Sequence, residues 1–337
     1  MTSTGPVLIA GPDRSGTTLI YAILGSHSRI SMVRRTNVWR FFYRRYGDLA
    51  DAANFERCLA DLIAYRRIAK LQPDADRLRR EFQAEGEPKT YGRLFSLLHE
   101  QLAEREGKPR WGDKSLHTEH HAAEVFAEFP DARIVHMLRD PRDRYSSAIK
   151  RHGRDVHRVA AATGRWLLST RAGLRDARRW PDRYTIVRYE DLAREPERVM
   201  REVCAFYGEA FEPEMLRMGA EPEHTAAGAN SSFGDIEPGA ISTKAIGRYR
   251  TGLSPMEWRF VQAMAGPLMR AMGYDLDEVD LRGTRLRYYA WFLPLNAARM
   301  IGWMAYARIT IRRGRDVPPN PEPAADALEE EVAAGGV

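Results

Sequence analysis

The loop from Gly11 to Thr18, in the sequence GPDRSGTTL, has the residue types of an anion-binding site. It supplies two glycines, one arginine and three hydroxyl side chains. It also lies where the apolar run Val7 to Ala10 gives way to apolar residues at helical spacing from Thr17 to Leu24. Backbone N–H groups at a helix start, with the positive end of the helix dipole, attract an anion. The loop therefore predicts a phosphate-type ligand.

The spacing of this loop, G-x-x-x-x-G-T-T, is that of a nucleotide-binding P-loop, except that Thr17 stands where a P-loop has its lysine. An ordinary ATPase or kinase would lack that lysine here. Arg14 instead offers a forked cation that can grip a terminal anionic group without a metal. The alternative is a glycine-rich turn that only lets a strand enter a helix, and the run Arg-Ser-Gly-Thr-Thr disfavours it.

A second cluster lies in the segment RIVHMLRDPRDRYSSAIKRHG. Arg139 ends an apolar run, while Ser147 and Arg151 lie four residues apart on the helix predicted to follow, so these two share one face. A forked cation, a hydroxyl and a further cation can hold a second phosphate. The alternative is a charged first helical turn, Asp140 to Asp143, with ordinary surface ion pairs.

Together these segments resemble the sulfotransferase superfamily that uses 3'-phosphoadenosine 5'-phosphosulfate (PAPS). The 5'-phosphosulfate loop of that family typically reads PRSGTTL or PKSGTTW. Arg14 to Leu19 match it, and Asp13 replaces the usual proline. Arg139 and Ser147 have the spacing of the family's 3'-phosphate motif. The resemblance spans residues 6 to 275 and is closest to the tyrosylprotein and bacterial branches.

The resemblance implies further contacts to the nucleotide. Arg151 matches an additional arginine of the tyrosylprotein branch. Tyr189, in RYEDL, corresponds to a tyrosine near the adenosine, although core packing explains such a residue equally well. Lys244 and Arg248 resemble basic residues of a late loop that closes over the nucleotide, with a solvated loop as the alternative. The predicted cofactor-binding residues are thus Arg14, Ser15, Gly16, Thr17, Thr18, Arg139, Ser147, Arg151, Tyr189, Lys244 and Arg248.

Sulfuryl transfer resembles phosphoryl transfer: an acceptor oxygen attacks in line, and negative charge grows on the leaving phosphate oxygen. We expect Arg14 and Lys114 to supply the cations there, the latter because family members carry a lysine in a comparable motif after a strand. A base is needed for the acceptor proton, and His117 and Asp113 are the candidates. The cytosolic branch has its histidine one residue closer to the lysine. Helix capping or a local ion pair is the alternative for Asp113.

The segment MVRRTNVW departs from the family pattern. The tyrosylprotein branch has acidic residues here, one of them the catalytic base, where this chain has Arg34 and Arg35. Tyrosine sulfation by that mechanism is therefore not expected. The two arginines can contact an anionic acceptor, although a solvated surface is the favoured interpretation. A zinc site on the nearby histidines lacks further spaced ligands, so no metal is expected.

The elements around these residues predict the fold class. Apolar runs at Val7 to Ala10, Arg133 to Leu138 and Tyr184 to Val187 alternate with helical segments such as His120 to Phe129 and Val159 to Arg179. This alternation predicts an α/β fold with a P-loop-like, mostly parallel β-sheet flanked by helices. Ligands of such sheets bind at the carboxyl ends of the strands.

The chain divides into parts of different character. Residues 1–282 are predicted to form the PAPS-binding domain, with a charged helical insertion at about residues 40–108 that can form part of an acceptor pocket. Residues 283–315 form a basic and aromatic helical appendage, and residues 316–337 an acidic, disordered tail. Helix starts are indicated at Asp140, followed by Pro141, and at Ser254, three residues before Glu257.

The appendage combines aromatic and aliphatic residues with arginines between residues 288 and 315. Pro294 and Arg299 argue against a membrane span. Such a helix can lie in a membrane interface with its basic end on anionic headgroups. The alternative is a helix pair that packs on the domain or forms a homodimer. Contact with a membrane would favour a lipid or glycolipid acceptor.

Composition limits partners and compartment. With 337 residues, 44% of them hydrophobic, the chain can bury a sizeable core. Its net charge of +6 attracts an anionic ligand, nucleic acid or an acidic membrane surface. Cys58 and Cys204 lie far apart with no metal-type spacing, which favours a reducing compartment. The first residues do not resemble a signal peptide, so we expect a cytoplasmic protein, with peripheral membrane contact through residues 288–315.

Two other functions fit parts of the sequence. A kinase or NTPase with a degraded P-loop predicts magnesium-dependent ATP binding. A basic, non-enzymatic adaptor predicts salt-dependent binding to DNA or anionic vesicles without dependence on Arg14. Neither explains both anion motifs, so a metal-independent sulfotransferase is the leading hypothesis and no nucleic acid partner is expected. Carbohydrate, lipid, phenol and small metabolite all stay open as acceptors.

Overall fold

The computed structural model describes residues 5–115, 117–152, 158–219 and 240–313. Within these residues one parallel sheet is formed, with its strands in the spatial order β2-β3-β1-β4-β5. The strands are β1 (Val7–Ala10), β2 (Ile30–Arg34), β3 (Arg110–Lys114), β4 (Arg133–Leu138) and β5 (Tyr184–Arg188). The predicted α/β fold is confirmed, and the central position of β1 places the Gly11–Thr18 loop at the middle of the sheet edge.

Helices connect the strands and cover the sheet. In chain order the described helices are α1 (Thr17–Gly25), α2 (Val38–Phe41), α3 (Ala52–Ala64), α4 (Arg66–Ala69), α5 (Ala75–Gln83), α6 (Tyr91–Arg105), α7 (Ala122–Glu128), α8 (Pro141–His152), α9 (Val159–Arg179), α10 (Tyr189–Arg194), α11 (Pro196–Tyr207), α12 (Tyr249–Gly252), α13 (Pro255–Ala271), α14 (Arg285–Arg287) and α15 (Leu293–Arg313). Short 3₁₀ turns occupy Thr118–His120 and Pro213–Arg217, and a π turn occupies Tyr288–Phe292.

The sheet has an apolar core on each face, because successive strand residues point to opposite sides. On β1, Leu8 belongs to the core formed with helices α2 to α7, while Ile9 belongs to the core formed with α1 and α11. Helices α2 to α6 all lie between β2 and β3, in the segment expected to be a helical insertion. With both faces covered, the carboxyl edge of the strands is left to bind a ligand.

A third core holds the C-terminal helix against the domain. Trp166 of α9 is fully buried there, and its indole N–H donates to the carbonyl oxygen of Arg139 at 2.8 Å. Met300 and Met304 of α15 are buried in the same core. One face of α15 therefore packs on the domain, as one of the alternatives for this segment predicts. Across the described ranges, no helix combines the length and the apolarity needed to cross a membrane.

Both helix starts indicated by the sequence are confirmed. The Asp140 carboxylate accepts from the backbone N–H of Arg142 at 2.8 Å, and Ser254 and Glu257 form the reciprocal capping box at the start of α13. The helical segment expected from His120 to Phe129 is wrong at its start. His121 has a non-helical backbone that separates the 3₁₀ turn from α7. The predicted tail, residues 316–337, lies outside the described residues.

Gly173 provides a test of the close packing of α9 on β4. A Cβ atom there would lie 2.6 Å from Nδ1 of His136, which is fully buried on β4. We expect Gly173→Ala to lower the free energy of unfolding by about 1–3 kcal/mol, because the imidazole must leave its hydrogen bonds. Urea unfolding followed by circular dichroism measures the change.

The control is a second helical glycine, Gly302 on α15. A Cβ atom there would meet nothing within 4 Å. Gly302→Ala should leave the free energy of unfolding unchanged or raise it by up to about 1 kcal/mol. Equal losses from both substitutions would contradict the close approach of α9 to β4.

Candidate functional site

The Gly11–Thr18 loop turns the chain from β1 into α1, and two of its residues must be glycine. Gly11 has φ 117° and Gly16 has φ 86°. A Cβ atom on Gly11 would lie 2.3 Å from the carbonyl oxygen of Met137, and one on Gly16 would lie 2.6 Å from the ring of Tyr189. Arg14 also has a left-handed backbone, with φ 63°, which is uncommon for a residue with a side chain and concentrates at functional sites.

The two predicted anion motifs meet at Arg14. Its Nε donates to Oγ of Ser147 at 3.0 Å, across 133 residues of sequence. Arg139 approaches from the end of β4, and its guanidinium donates to the carbonyl oxygen of Arg14 at 3.2 Å. The fold therefore brings Arg14, Arg139 and Ser147 into one site at the carboxyl edge of the sheet.

Tyr189 lies between these two motifs. Its ring packs against Gly16, and the Arg139 guanidinium lies over it at 4.5 Å from the ring centroid. The residue is 2% exposed. Tyr189 is therefore a core residue, as the packing alternative predicts, that also lies against a cation of the site. Its contact with the adenosine stays a prediction.

Two buried polar atoms in this site have no hydrogen-bond partner within the described part of the chain. They are Oγ of Ser15, in the loop, and Nε of Arg139. Buried polar groups are nearly always satisfied, because leaving one unpaired costs about 1–3 kcal/mol. Both atoms are donors, and an anion with several oxygen atoms is the ligand that would satisfy them.

The late loop is fastened over Arg139 by α8. The Asp143 carboxylate accepts from the backbone N–H groups of Gly247 at 2.6 Å and Tyr249 at 2.9 Å. Arg139 also donates to the carbonyl oxygen of Ala245 at 2.7 Å. Lys244, which is exposed, and Arg248, which is half-buried, are thereby held beside the Arg139 site.

The first turn of α8 is buried and is not a set of surface ion pairs. Asp143 is 1% exposed, and burial raises the pKa of its carboxyl group. Asp140 and Arg142 form a buried ion pair at 2.6 Å. The surface alternative for this turn is therefore wrong. Asp140 and Arg142 pair with each other beneath the site, and Asp143 holds the late loop beside Arg139.

Asp13, which replaces the family's usual proline, has a clear structural partner. Its Oδ1 accepts from Arg144 of α8 at 2.5 Å and from Arg165 of α9 at 3.1 Å. Burial alone would raise the pKa of Asp13, but the two guanidinium groups outweigh it and hold the pKa well below its usual range. The carboxylate is thus neutralised inside an anion-binding loop. Sequence reasoning missed both arginines, and the unusual Asp13 was the signal that could have found them.

Lys114 ends β3 on the same face of the sheet as Ile9 and Arg34, its neighbours in register. It is 6% exposed, and burial together with the charges of Arg35 and Arg34 lowers its pKa to about 7. Arg34 and Arg35 are half-buried beside it. The expectation that these two arginines lie on a solvated surface is therefore wrong. They form a group of positive charges with Lys114.

Asp113 points to the opposite face from Lys114, since adjacent strand residues alternate. Its Oδ2 accepts from Oγ1 of Thr36 at 2.7 Å and from Oγ of Ser115 at 2.8 Å. Burial raises the pKa of this carboxyl group. Asp113 thus ties β3 to the chain that leaves β2 through two hydroxyl groups, rather than through the helix cap or ion pair expected as its alternative.

His117 follows β3 with a left-handed backbone, φ 71°. Its ring stacks on that of His120 with the centroids 5.9 Å apart. Burial lowers the pKa of His117 well below its ordinary value, so the imidazole is neutral at pH 7. A neutral imidazole is the form that accepts a proton.

A buried polar network behind the loop was missed by sequence reasoning. The Tyr184 hydroxyl bonds Nδ1 of His136 at 2.7 Å, and Nε2 of His136 bonds Oγ of Ser169 at 3.2 Å. Ser169 donates to Glu119 at 2.8 Å, and the other oxygen of Glu119 accepts from the N–H of Gly11 at 3.4 Å. Burial lowers the pKa of His136 to about 4, so its ring is neutral. The network secures the start of the loop.

The structure leaves part of the predicted set undescribed. The side chain of Arg151 lies outside the described residues, although its backbone is in α8. In the ranges that are described, no group of three or more His, Cys, Asp or Glu side chains is placed to hold a metal ion.

The part of the chain that carries this site is similar to known proteins. The family model described as "Sulfotransferase family" matches residues 6–213. Carbohydrate sulfotransferase 5 of Mus musculus is 30% identical over 177 residues, which is 44% of this chain and 44% of that protein. Carbohydrate sulfotransferase 3 of Homo sapiens is 27% identical over 169 residues, 43% of this chain and 34% of that protein. The matched region spans less than half the length of these relatives.

Solved structures share the fold. The sulfotransferase domain from the Synechococcus PCC 7002 olefin synthase has a TM-score of 0.52 at 20% identity and covers 81% of this chain and 95% of its own. The sulfotransferase domain from the curacin biosynthetic pathway has a TM-score of 0.52 at 21% identity, covering 81% and 99%. At these identities the likeness shows the fold alone.

The buried position of Lys114 makes a prediction about stability and pH. Its pKa falls from 10.5 to about 7 on folding. Between these values the unfolded chain binds more protons than the folded one, so this group's contribution to stability rises with pH across that window. Lys114→Met removes the buried charge. The variant should therefore gain most in free energy of unfolding at about pH 6, and less at about pH 9.5.

Urea unfolding of wild type and variant at both pH values measures this difference. Lys70→Met, at an exposed position after α4, is the matched control and should show no such pH dependence. A gain for Lys114→Met that stays constant or grows toward high pH would contradict a charged lysine buried beside Arg34 and Arg35.

Proposed function

Because the chain belongs to the sulfotransferase family, whose model matches residues 6–213, we propose that it transfers a sulfuryl group from PAPS to a carbohydrate hydroxyl. The acceptor oxygen bonds to the sulfur while the bond between the sulfur and the bridging oxygen of the 5'-phosphate breaks. The acceptor proton passes to a base, and the products are a sulfate ester and 3',5'-ADP. The observation that carries the proposal is the hydrogen bond between Arg14 and Ser147, at 3.0 Å, which joins two anion-binding motifs into one site.

The residues of the site fit a nucleotide with phosphates at both ends of its ribose. Oγ of Ser15 and Nε of Arg139 are buried donors that lack a partner in the described part of the chain. PAPS supplies the activated sulfuryl group when it is bound. The loop Arg14 to Thr18 would hold its 5' end, and Arg139 with Ser147 would hold its 3'-phosphate.

Other predicted contacts surround this pair of anion sites. Tyr189 lies against both motifs and would contact the adenosine side. Lys244 and Arg248 belong to the loop that Asp143 fastens beside Arg139. We retain Arg151 as a 3'-phosphate contact on the resemblance alone.

Lys114 would stabilise charge at the leaving phosphate together with Arg14. With no anion present, burial and the neighbouring arginines lower the pKa of Lys114 to about 7, so the ammonium is only partly protonated at neutral pH. A bound anion favours the protonated form. Nucleotide binding should therefore take up a proton and complete the charge that transfer needs.

His117 is the better of the two candidates for the base. Lys114 and Asp113 point to opposite faces of the sheet, and one Asp113 oxygen is already occupied by Thr36 and Ser115. His117 has a neutral imidazole, as removal of an acceptor proton requires. We therefore assign proton removal to His117 and a structural role to Asp113.

A carbohydrate acceptor is supported by the relatives, whose names describe carbohydrate sulfotransferases. Arg34 and Arg35 add positive charge beside Lys114, on the side where an acceptor would approach. Such charge favours a sugar that already carries a carboxylate or sulfate group.

We also retain the cytoplasmic location expected from the sequence as a proposal. Cys58 and Cys204 are both buried and unpaired, and they lie in cores on opposite faces of the sheet. Neither takes part in a disulfide, which is the usual state of cysteines in the cytoplasm.

Nucleotide binding tests the two anion sites separately. Wild type should bind 3',5'-ADP more tightly than 5'-AMP, because Arg139 and Ser147 recognise the added phosphate. Arg139→Ala should weaken binding of 3',5'-ADP by about 10- to 100-fold and leave 5'-AMP binding nearly unchanged, since it removes a charged hydrogen bond. Arg14→Ala should weaken both ligands. Isothermal titration calorimetry, with and without EDTA, gives these affinities.

Arg80→Ala is the matched control, since Arg80 is exposed on α5, and it should bind both nucleotides as wild type does. Absence of 3',5'-ADP binding to wild type, or unchanged binding by Arg139→Ala, would refute a PAPS site. ATP binding that requires magnesium would favour a kinase or NTPase instead.

The assignment of the base is tested by turnover. His117→Asn should lower kcat by about 10²- to 10⁴-fold while 3',5'-ADP affinity stays constant, because it removes only the proton acceptor. Asp113→Asn should mainly lower the free energy of unfolding. Transfer of labelled sulfate from PAPS to carbohydrate extracted from cells gives the rates.

Product identification in the same assay tests the acceptor class. Label in a carbohydrate fraction supports the proposal, whereas label in protein tyrosine would overturn it. A larger loss of kcat in Asp113→Asn than in His117→Asn would reverse the roles of the two residues.

A further inference from the structure

The C-terminal segment from Arg285 to Arg313 concentrates the exposed apolar side chains of the described chain. Every large hydrophobic side chain that is exposed in the described residues lies within it: Leu286, Tyr289, Trp291, Leu295, Ile301, Tyr306 and Ile309. Two of these, Leu286 and Trp291, are 83% and 68% exposed. We call the outward side of residues 285–313 the C-terminal surface. A concentration of this kind marks an interaction site rather than ordinary protein surface.

The helix α15 is apolar on both of its sides. Its inner side buries Met300, Met304 and Ala307, and it packs closely on α9, where a Cβ atom on Gly164 would lie 3.0 Å from the side chains of Met304 and Trp303. A helix held by one apolar side normally shows polar residues on the other. The apolar outer side of α15 therefore indicates a second partner, and α15 must lie flat between that partner and the domain.

The charge of the segment identifies the partner's chemistry. Residues 281–315 contain eight arginines and no Asp, Glu, Lys or His. The 280 residues before this segment together carry only +4, and residues 316–337 carry −6. Arg285, Arg287, Arg299 and Arg308 are all exposed. The positive charge of this protein is thus concentrated on the same segment as its exposed apolar residues.

An open cavity lies at the foot of the C-terminal surface. Its volume is about 460 Å³, and its lining includes Arg158, Arg287 and Arg299 as well as Trp291 and Phe292. Arg287 and Arg299 also belong to the C-terminal surface, so the cavity opens onto it. Three guanidinium groups beside aromatic rings suit a phosphate group attached to an apolar body.

One acidic residue in the same cavity already has partners. Glu257 lines the cavity, but its carboxylate accepts from the Tyr145 hydroxyl at 2.8 Å and from the backbone N–H of Ser254 at 2.9 Å. It is committed to the start of α13 as part of the capping box. The three arginines therefore keep an excess of positive charge for a ligand.

We propose that the C-terminal surface docks on a membrane that contains anionic phospholipids. The helix α15 lies in the plane of the interface, its outer apolar side chains enter the boundary between headgroups and acyl chains, and the cavity takes a lipid phosphate. Amphipathic segments with basic flanks bind such interfaces both by burying apolar surface and by electrostatic attraction to anionic lipids. A second copy of the chain is disfavoured as the partner, because two such surfaces would place these four exposed arginines against the same four of the other copy.

Vesicle flotation tests the proposal on the full chain. Wild type should bind vesicles of phosphatidylcholine with 30% phosphatidylglycerol, bind pure phosphatidylcholine weakly, and lose binding as salt is raised. The fluorescence of Trp291 should shift to shorter wavelength on binding. The shift is obtained as the difference between wild type and Trp291→Phe, because the chain contains seven tryptophans.

Two double variants separate the apolar and the electrostatic parts of binding. Ile301→Ser with Ile309→Ser should reduce partitioning by about 10-fold or more, since two exposed side chains no longer enter the boundary. Arg299→Glu with Arg308→Glu should reduce it by about 30-fold or more, because each arginine near the surface contributes about 5-fold. Unchanged 3',5'-ADP affinity shows that the variants remain folded.

The matched control makes the same change in net charge elsewhere. Arg57→Glu with Arg80→Glu alters two exposed arginines on α3 and α5, outside the C-terminal surface. It should reduce partitioning by less than about 3-fold. A loss as large as that of Arg299→Glu with Arg308→Glu would show only general attraction and would overturn the proposal.

Other partners give distinct results, each of which refutes the proposal. Equal binding of wild type to neutral and anionic vesicles would exclude recognition of anionic lipid. A dimer in sedimentation without lipid, converted to monomer by Ile301→Ser with Ile309→Ser, would assign the surface to a second copy. Vesicle binding that appears only after residues 316–337 are removed would show that the acidic tail, rather than a membrane, occupies the C-terminal surface in the full chain.

Discussion

The structure depends on the crowding of positive charge at the carboxyl edge of the sheet. Arg34, Lys114 and Arg139 follow or end strands there, and Arg14 lies in the loop after β1. Burial together with the charges of Arg35 and Arg34 lowers the pKa of Lys114. Holding such charges together without water lowers the stability of the folded state, and an anionic ligand bound there would offset this loss. Ser15 and Arg139 add buried donors that lack a hydrogen-bond partner in the described part of the chain. Affinity for anions and a loss of intrinsic stability are two consequences of one arrangement.

Acidic residues behind this edge keep the cations in place without neutralising the site. Asp13 binds Arg144 and Arg165, Asp143 binds backbone N–H groups of the late loop, and Glu119 binds the start of the first loop. Each carboxylate has partners that lie in different elements. The site is therefore assembled from parts distant in sequence, and its geometry depends on the packing of α8 and α9 against the sheet.

Helix α9 connects this site to the C-terminal surface. Trp166 and Arg165 of α9 contact the site through Arg139 and Asp13, and the same helix carries Gly164, against which α15 packs. Docking of α15 on a membrane would hold the whole domain in one orientation, with the acceptor side at a constant height above the lipid. An enzyme placed this way acts on acceptors that are attached to the membrane or gathered near it.

The sequence by itself determined the features that depend on near neighbours: the strand–loop–helix units, the two glycines of the loop, the caps at Asp140 and Ser254, and the positions of both candidate anion motifs. Tertiary structure decided the rest. The meeting of Arg14 with Ser147 spans 133 residues, and that of Arg142 with Gln262 spans 120. Which face Lys114 and Asp113 occupy follows from strand register, and the burial of the α8 charges follows from packing. Local propensity carries no record of such contacts, since they arise only when distant elements exclude water together.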